Sequence, residues 1–357
     1  MKKKSLNAKK KIPSNLNFKK ILKDKKIFKI YKNFVRNFEN LSNSDKFAIS
    51  VSGGSDSIAL CFLISCYKFQ KNKQIQTFFY LVDHGLRKNS GREATFVKNK
   101  LKSKKINLKI LKWQGKKPTS NIQSLARKKR YELIFNECKK LNIGTVLTAH
   151  HQDDMYETFF SRLLRGSGTE GLSSFAKTET LFERKNKKIL VARPLLNLTK
   201  QDLIYVSNSV FKFYVEDPSN QLEIFQRVRI RKLILNLKNQ GLDFKKLNLT
   251  INNLSSTNRA ISEITDHNIS KNVTFLFKQK YLINSKFFLM PEEVIFRSLL
   301  ILIKNISQRD YPPRGKKMLN LIKNLQNKIY LKATLGGTII EKIHNSVTIS
   351  REKTKKR

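Results

Sequence analysis

Residues 47–64 constrain the chain more than any other stretch. They read F-A-I-S-V, then S-G-G-S-D-S, then I-A-L-C-F-L-I. A solid apolar run, paired glycines and a second apolar run with helical spacing predict strand, tight loop and helix. The glycines let backbone N–H groups approach an anion, the serines add hydroxyl donors, and the helix start presents its positive end. Ser52, Gly53, Gly54, Ser55, Asp56 and Ser57 therefore read as a phosphate site. Asp56 would repel phosphate unless a cation stood between them, so it reads as a Mg²⁺ ligand. The plain alternative is a polar turn with a helix cap; the setting between a buried-type strand and a buried-type helix favours the site.

Further along, T-F-F-Y-L-V at 77–82 is a second buried-type strand that runs into D-H-G-L-R at 83–87. Polar groups at the C-terminal end of a strand lie where open α/β sheets bind ligands. A helix over 90–104 and a strand over 108–112 follow, and the βαβα order predicts a doubly wound parallel sheet. From Asn121 the pattern is helical, with Ile122, Leu125, Ala126, Lys129 and Leu133 in one row and Gln123, Arg127 and Arg130 on another face. That second face suits phosphate contact and a solvated surface equally.

The strand T-V-L-T-A at 145–149 ends in H-H-Q-D-D, and a helix is expected to continue to about Arg165. Met155, Phe159, Phe160 and Leu163 form its predicted buried stripe, while Asp154, Glu157, Thr158, Ser161 and Arg165 share another face. The paired histidines and aspartates leave a metal-hydrolase cluster open, and also a structural cap by Asp153. G-S-G-T-E-G at 166–171 fits G-x-G-x-x-G but follows a helix, so the dinucleotide reading fails its context and a closing loop beside the site fits better. A late strand over 189–194 and a helix over 200–209 come next. A turn signal, D-P-S-N at 217–220, opens a helix with Arg227, Arg229, Arg231 and Lys232. Alternate helical positions diverge by roughly 200°, so this segment is expected to meet phosphates on more than one side. Periodicity stays helical over about 240–307. Y-P-P-R-G at 311–315 then starts a last module, with a helix near 316–326 and short strands near 330, 338–340 and 346–349 that turn at Gly336 and Gly337.

Composition narrows the partners. A formal charge of +47, from 73 basic and 26 acidic residues, points to a polyanion, with nucleic acid first. Residues 1–25 form a lysine-rich arm, either touching RNA or simply solvated. The apolar runs fall far short of the roughly 20 residues a bilayer crossing needs, and the basic start lacks the apolar segment of a secretory leader. Cys61, Cys66 and Cys138 form no C-x-x-C, so a reducing cytoplasm and no cysteine-built metal site are expected.

The loop at 52–57 resembles the S-G-G-x-D-S signature of the PP-loop ATP pyrophosphatases, and no G-x-x-x-x-G-K-[ST] occurs. With D-H-G-L-R at 83, N-I-Q-S-L-A-R-K-K-R-Y at 121, H-H-Q-D-D-M-Y-E-T at 150, R-G-S-G-T-E-G-L at 165, A-R-P-L-L at 192, E-D-P-S-N at 216 and R-V-R-I-R at 227, the chain resembles the tRNA(Ile)-lysidine synthases. The resemblance implies an α/β fold: a doubly wound parallel sheet with an N-terminal PP-loop, followed by a helical domain and a small α+β C-terminal module. The expected bounds are 1–25 for the basic arm, 26–218 for the catalytic domain, 219–307 for a helical tRNA-contacting domain and 308–357 for the last module.

It also implies that ATP adenylates the C2 oxygen of the wobble cytidine in the CAU anticodon of tRNA(Ile), and that the side-chain amine of free L-lysine then displaces AMP. Residues 52–57 with His84 and Arg127 would bind ATP, and Asp56 the Mg²⁺. His150 and Asp154 would lie at the reacting centre, Glu157 would pair with the substrate lysine and Arg227 would steady the adenylate. Arg130, Arg165, Arg229, Arg231 and Lys232 would contact tRNA, and the resemblance leaves room for a homodimer. Gln221 departs from it, standing where an acidic residue is expected. The rivals are a PP-loop tRNA thiolase, which generally needs cysteine pairs that this chain lacks, and a non-catalytic RNA-binding protein, which has no use for clustered carboxylates.

Overall fold

The computed structural model describes residues 16–41, 44–71, 74–87, 89–115, 117–175, 179–184, 187–216, 226–276, 280–308 and 313–352. The turn signal at 217–220, Gln221, the prolines at 312 and 218 and the first 15 residues of the arm lie outside them. The chain forms two compact units, Met1–Asn248 and Leu249–Arg357.

In the first unit the helix expected after the glycine loop is the core. α3 (Ser55–Gln70) is apolar on every side, and its residues from Ile58 to Ile64 are fully buried. A helix of this kind needs cover all round. The sheet of β1 (Lys46–Val51), β2 (Gln76–Asp83) and β3 (Leu108–Lys112) covers one side, and α2 (Lys25–Glu39) and α8 (Lys200–Val210) cover the other. α2 shows why: Ile27, Ile30, Tyr31, Phe34, Val35 and Phe38 recur at helical spacing and are all buried. Asp24 caps it, accepting from the Lys26 and Ile27 N–H groups at 2.8 and 3.0 Å, and Tyr205 on α8 donates to the same carboxylate at 2.7 Å. Part of the expected arm is therefore folded. α1 (Phe18–Ile21) is a single turn, and Phe18 stacks on Phe62 of α3.

The six-stranded sheet has the order β3-β2-β1-β4-β6-β5, with β4 (Thr145–Leu147), β5 (Glu179–Arg184) and β6 (Lys187–Ala192). Pairings among β1, β2, β3, β4 and β6 are parallel, with Phe47 opposite both Thr77 and Thr145. β5 had no sequence signal of its own. It pairs antiparallel with β6 as the edge strand of a hairpin. The strand order reverses between β1 and β4, so the loop at 52–54 and the segment at 148–151 face one crevice at the topological switch point.

α4 (Ser90–Lys102), α5 (Ile122–Lys140) and α6 (Gln152–Leu163) complete the crossovers, and the glycine-rich stretch at 166–171 ends in one helical turn, α7 (Thr169–Ser173). The expected apolar row of α5 fails in its first turn, where Ile122 and Leu125 are exposed, because burial begins at Ala126 and continues through Ile134, Phe135 and Cys138. Likewise Leu163 is exposed at the end of α6, which stops before Arg165. α9 (Gln226–Asn239) belongs to the first unit and packs on α6.

α10 (Phe244–Asn272) crosses the division at 248/249. In the second unit the helical pattern expected up to 307 is interrupted by a hairpin, β7 (Val273–Leu276) and β8 (Lys280–Ile283). β8 pairs with β11 (Ser346–Arg351), giving a five-stranded sheet β7-β8-β11-β10-β9 with β10 (Thr338–Ile343) and β9 (Tyr330–Leu335). Strands on both sides of residue 308 thus share one sheet, against which α11 (Glu292–Ser307) and α12 (Gly315–Asn327) bury Leu299, Ile303, Met318 and Ile322. The expected turn at Gly336 and Gly337 is present with φ of 64° and 86°. Two positive φ values define the tight hairpin turn that matches strand twist.

Phe62→Ala should destabilise the first unit by about 3–5 kcal/mol, read from the urea midpoint, because the cavity opens in the middle of the core helix. A loss below about 1 kcal/mol would show that α3 is not the core.

Candidate active site

The loop after β1 folds around Ser57. Its hydroxyl accepts from the N–H groups of Ser52 and Gly53, both at 3.1 Å, and donates to the Gly54 carbonyl at 2.9 Å. Ser57 thus shapes the loop. Gly53 has φ 89°, and a Cβ there would sit 3.0 Å from Val97 Cγ2, so glycine is required on both counts. Gly54 caps α3 without a side chain, which leaves the first-turn N–H groups of the helix directed at the crevice.

Asp56, one residue into that helix, is the node of a charge cluster. Lys200 Nζ donates to both its oxygens at 2.7 and 2.8 Å. Lys200 opens α8, a place where the helix dipole disfavours a cation; Asp56 supplies the compensation. His151 is buried, with Nε2 3.6 Å from Asp56 Oδ2 and 3.5 Å from Asp154 Oδ2, and Nδ1 3.4 Å from Asp153 Oδ2. Burial opposes its protonation, but the close carboxylates of Asp153, Asp56 and Asp154 outweigh this and raise its pKa to about 10. Burial likewise pushes Asp56 upward, and His151 and Lys200 overcome it, holding the carboxyl below its ordinary value. The two neighbouring aspartates also organise backbone: Asp154 accepts from the His151 N–H at 3.1 Å, and Asp153 from the Lys200 N–H at 2.8 Å. The cap on this helix, one alternative for Asp153, is made by Asp154.

His150 points the other way. Its Nδ1 lies 2.9 Å from Thr148 Oγ1, whose hydroxyl donates to the Ala192 carbonyl at 3.3 Å. With the hydroxyl proton on the Ala192 carbonyl, Thr148 accepts from Nδ1–H and leaves the lone pair at Nε2; with it on Nδ1, the tautomer is reversed. Burial, then the charges of Arg127, Arg193, Arg227 and Arg130, hold His150 well below its ordinary pKa. The charges of four guanidiniums, from α5, the end of β6 and α9, thus act on one neutral imidazole. Arg127 stacks on Tyr131, and Arg193 on Phe175. His84, after β2, sits beside the same group. Burial and Arg130 lower its pKa to about 4, and both ring nitrogens are buried without a hydrogen-bond partner.

Glu157 is buried on α6, where Arg231 Nε donates to it at 2.5 Å. Burial raises its pKa despite Arg231. Arg231, expected on tRNA, bonds Glu157 while remaining exposed like Arg229 and Lys232, and Arg165 bonds the side chain of Gln226. The structure gathers Asp56, Asp154, His150, Arg127, Arg130, Arg227 and Glu157 around the switch point. Sequence reasoning missed His151 and Lys200. The legible signal for Lys200 was a lysine in the first turn of a helix; for His151 it was the alternation of side chains at a strand end. Among the described residues no group of three or more His, Cys, Asp or Glu side chains is arranged to hold a metal.

A PP-loop domain model matches residues 23–238. A tRNA(Ile)-lysidine synthase of Wolbachia pipientis wMel is 34% identical over 329 residues, covering 89% of this chain and 74% of the relative. The chain belongs to the tRNA(Ile)-lysidine synthase family. A synthase of Orientia tsutsugamushi (strain Boryong) is 32% identical over 90% of this chain and 73% of its own length. Among solved structures, a U34-tRNA thiolase of Methanococcus maripaludis with its [4Fe-4S] cluster superposes with a TM-score of 0.54 at 17% identity, covering 66% of this chain and 81% of that one. That likeness is one of fold. No helix among the described residues is long and apolar enough to cross a membrane.

The cluster sets a pH signature. The raised pKa of His151 stabilises the fold below about 6.5, and this is lost as pH rises through about 10. The lowered pKa values of Asp56 and Asp153 stabilise it above the ordinary carboxylate range and are lost as pH falls. Ring-proton NMR should find His151 still charged at about pH 8 and His84 still neutral at about pH 5.5. Titration of His151 near 6.5 would contradict the cluster.

Proposed function

We propose that the chain ligates free lysine to C2 of the wobble cytidine in the CAU anticodon of tRNA(Ile), with ATP adenylating the C2 oxygen and AMP and pyrophosphate as products. Codon reading then changes from AUG to AUA. The observation that carries this reading is the buried Glu157, one turn from Asp154 on α6 and already engaged by a cation. A carboxylate in that place suits the ammonium of a lysine substrate.

In the first step the C2 oxygen attacks the α-phosphorus and pyrophosphate leaves. The first-turn N–H groups of α3 hold phosphate oxygens, and Arg127, Arg130 and Arg227 balance the charge that builds up in a poorly solvated pocket. In the second step the amine attacks C2, the C2–O bond breaks and AMP leaves. A neutral His150 takes the amine proton on its free ring nitrogen as the C–N bond forms. Asp56 and Asp154, both within 3.6 Å of one histidine nitrogen, supply the hard oxygen donors that Mg²⁺ prefers alongside phosphate. Bound there, Mg²⁺ would offset charge on the phosphates. The helical stretch within 219–307, with Arg229 and Lys232 exposed, is assigned to tRNA, and the cytoplasm is the expected compartment.

The thiolase alternative is disfavoured by the cysteines. Cys61, Cys66 and Cys138 are buried, and burial pushes Cys66 and Cys138 up to about 12, leaving no thiolate for sulfur chemistry.

The assay uses radiolabelled lysine, ATP and tRNA(Ile) with a CAU anticodon. Asp56→Asn should abolish pyrophosphate release while tRNA still binds; release at the wild-type rate removes Asp56 from the ATP site. Glu157→Gln should release pyrophosphate yet transfer lysine poorly, so adenylated tRNA accumulates. Normal lysine transfer, or loss of adenylation as complete as in Asp56→Asn, removes Glu157 from lysine recognition.

A further inference from the structure

The folded part of the N-terminal segment builds a second cationic surface. A cleft of about 880 Å³ opens between the α1 turn, α2 and the last residues of α3. Lys19, Lys23, Lys32, Arg36 and Lys71 line it, all exposed, with Glu39 as the one carboxylate among the lining residues. Its floor is apolar, with Tyr31 and Val35 buried and Phe28 41% exposed. The cleft is separate from the phosphate loop. Ser55 begins α3 at the loop and Gln70 ends it at the cleft, and 16 residues of helix span about 22 Å.

Lys32 and Arg36 stand one turn apart on α2, where like charges repel and cost a few tenths of a kcal/mol unless an anion bridges them. Lys19 lies in the α1 turn, Lys23 follows it, and Lys71 caps the end of α3. Cations distributed along a cleft match an anion whose charges are also distributed; a mononucleotide carries its charge at one end. The ring of Phe28 adds a stacking platform, with Lys32 Nζ 4.7 Å from its centroid. A basic groove with an exposed aromatic ring is the combination that holds an unpaired strand, phosphates on cations and base on ring.

We propose that this cleft binds a single-stranded segment of RNA. The assignment does not depend on the chemistry proposed for the switch-point site. The probe is a ten-nucleotide oligouridylate carrying 4-thiouridine, photo-crosslinked to the full chain and mapped by peptide mass, with binding also followed against salt. Crosslinks should fall on the peptides that contain Phe28 and Lys32. The quadruple variant Lys19→Ala, Lys23→Ala, Lys32→Ala, Arg36→Ala should remove those crosslinks and make the plot of log affinity against log salt shallower by about 3. Phe28→Leu should weaken the oligonucleotide roughly fivefold or more with the salt slope kept, because stacking and not charge is lost. Crosslinks confined to other segments, or an unchanged slope in the quadruple variant, overturn the proposal. A shallower slope with no effect of Phe28→Leu also overturns it, since the cleft would then read duplex backbone; and preferential competition by AMP would make it a mononucleotide pocket.

Discussion

The contact on which the rest of the site depends is the ionised Asp56 held between Lys200 and His151. It joins the start of α3 to the start of α8 and to the end of β4, the three places where the chain turns over the sheet. A lone carboxylate at that depth would protonate or recruit water; two cations keep it charged and fixed in direction. The same contact explains why α8 can open with a lysine and why the histidine after β4 turns inward. The polar ends of the crossovers are thereby locked to one another at the start of a core helix that is buried on every side from Ile58 to Ile64.

Around this node the chain separates two kinds of charge. Carboxylates and their cations gather at His151, while the guanidiniums of Arg127, Arg130, Arg193 and Arg227 gather at His150, the adjacent residue. Neighbouring side chains at the end of a strand point to opposite sides, so two adjacent histidines serve two environments of opposite sign. One is raised to carry a proton, the other lowered to lack one. Opposed shifts of this kind are what a site that handles both anionic phosphates and an amine requires.

Much of this was legible in the sequence, for identifiable reasons. The S-G-G-S-D-S loop between two apolar runs allowed one local structure, and the βαβα order allowed one sheet, so the phosphate loop and the switch point followed. Glu157 and Asp154 could be placed on one helix by spacing. What could not be read were contacts between distant segments: Lys200 on Asp56 and Arg231 on Glu157 join residues 144 and 74 positions apart, and no periodicity reports them. The hydrogen bonds by which the Ser57 hydroxyl closes its own loop were likewise not legible, since in sequence it looks like any other serine of the loop. The β7–β8 hairpin was hidden inside a helical pattern because its partner, β11, lies some seventy residues on and supplies the pairing. The exposure of Ile122 and Leu125 at the start of α5 was not legible, because spacing gives a face but not what lies opposite it.

The account rests on activation of the C2 oxygen at the switch point, and isotope transfer tests that directly. tRNA(Ile) carrying ¹⁸O at C2 of the wobble cytidine, incubated with the chain, ATP and lysine, should yield AMP containing one ¹⁸O in its phosphate, detected by mass spectrometry. Unlabelled AMP formed alongside lysine-modified tRNA would contradict the account, because the C2 oxygen would then have left by a route that does not pass through phosphorus.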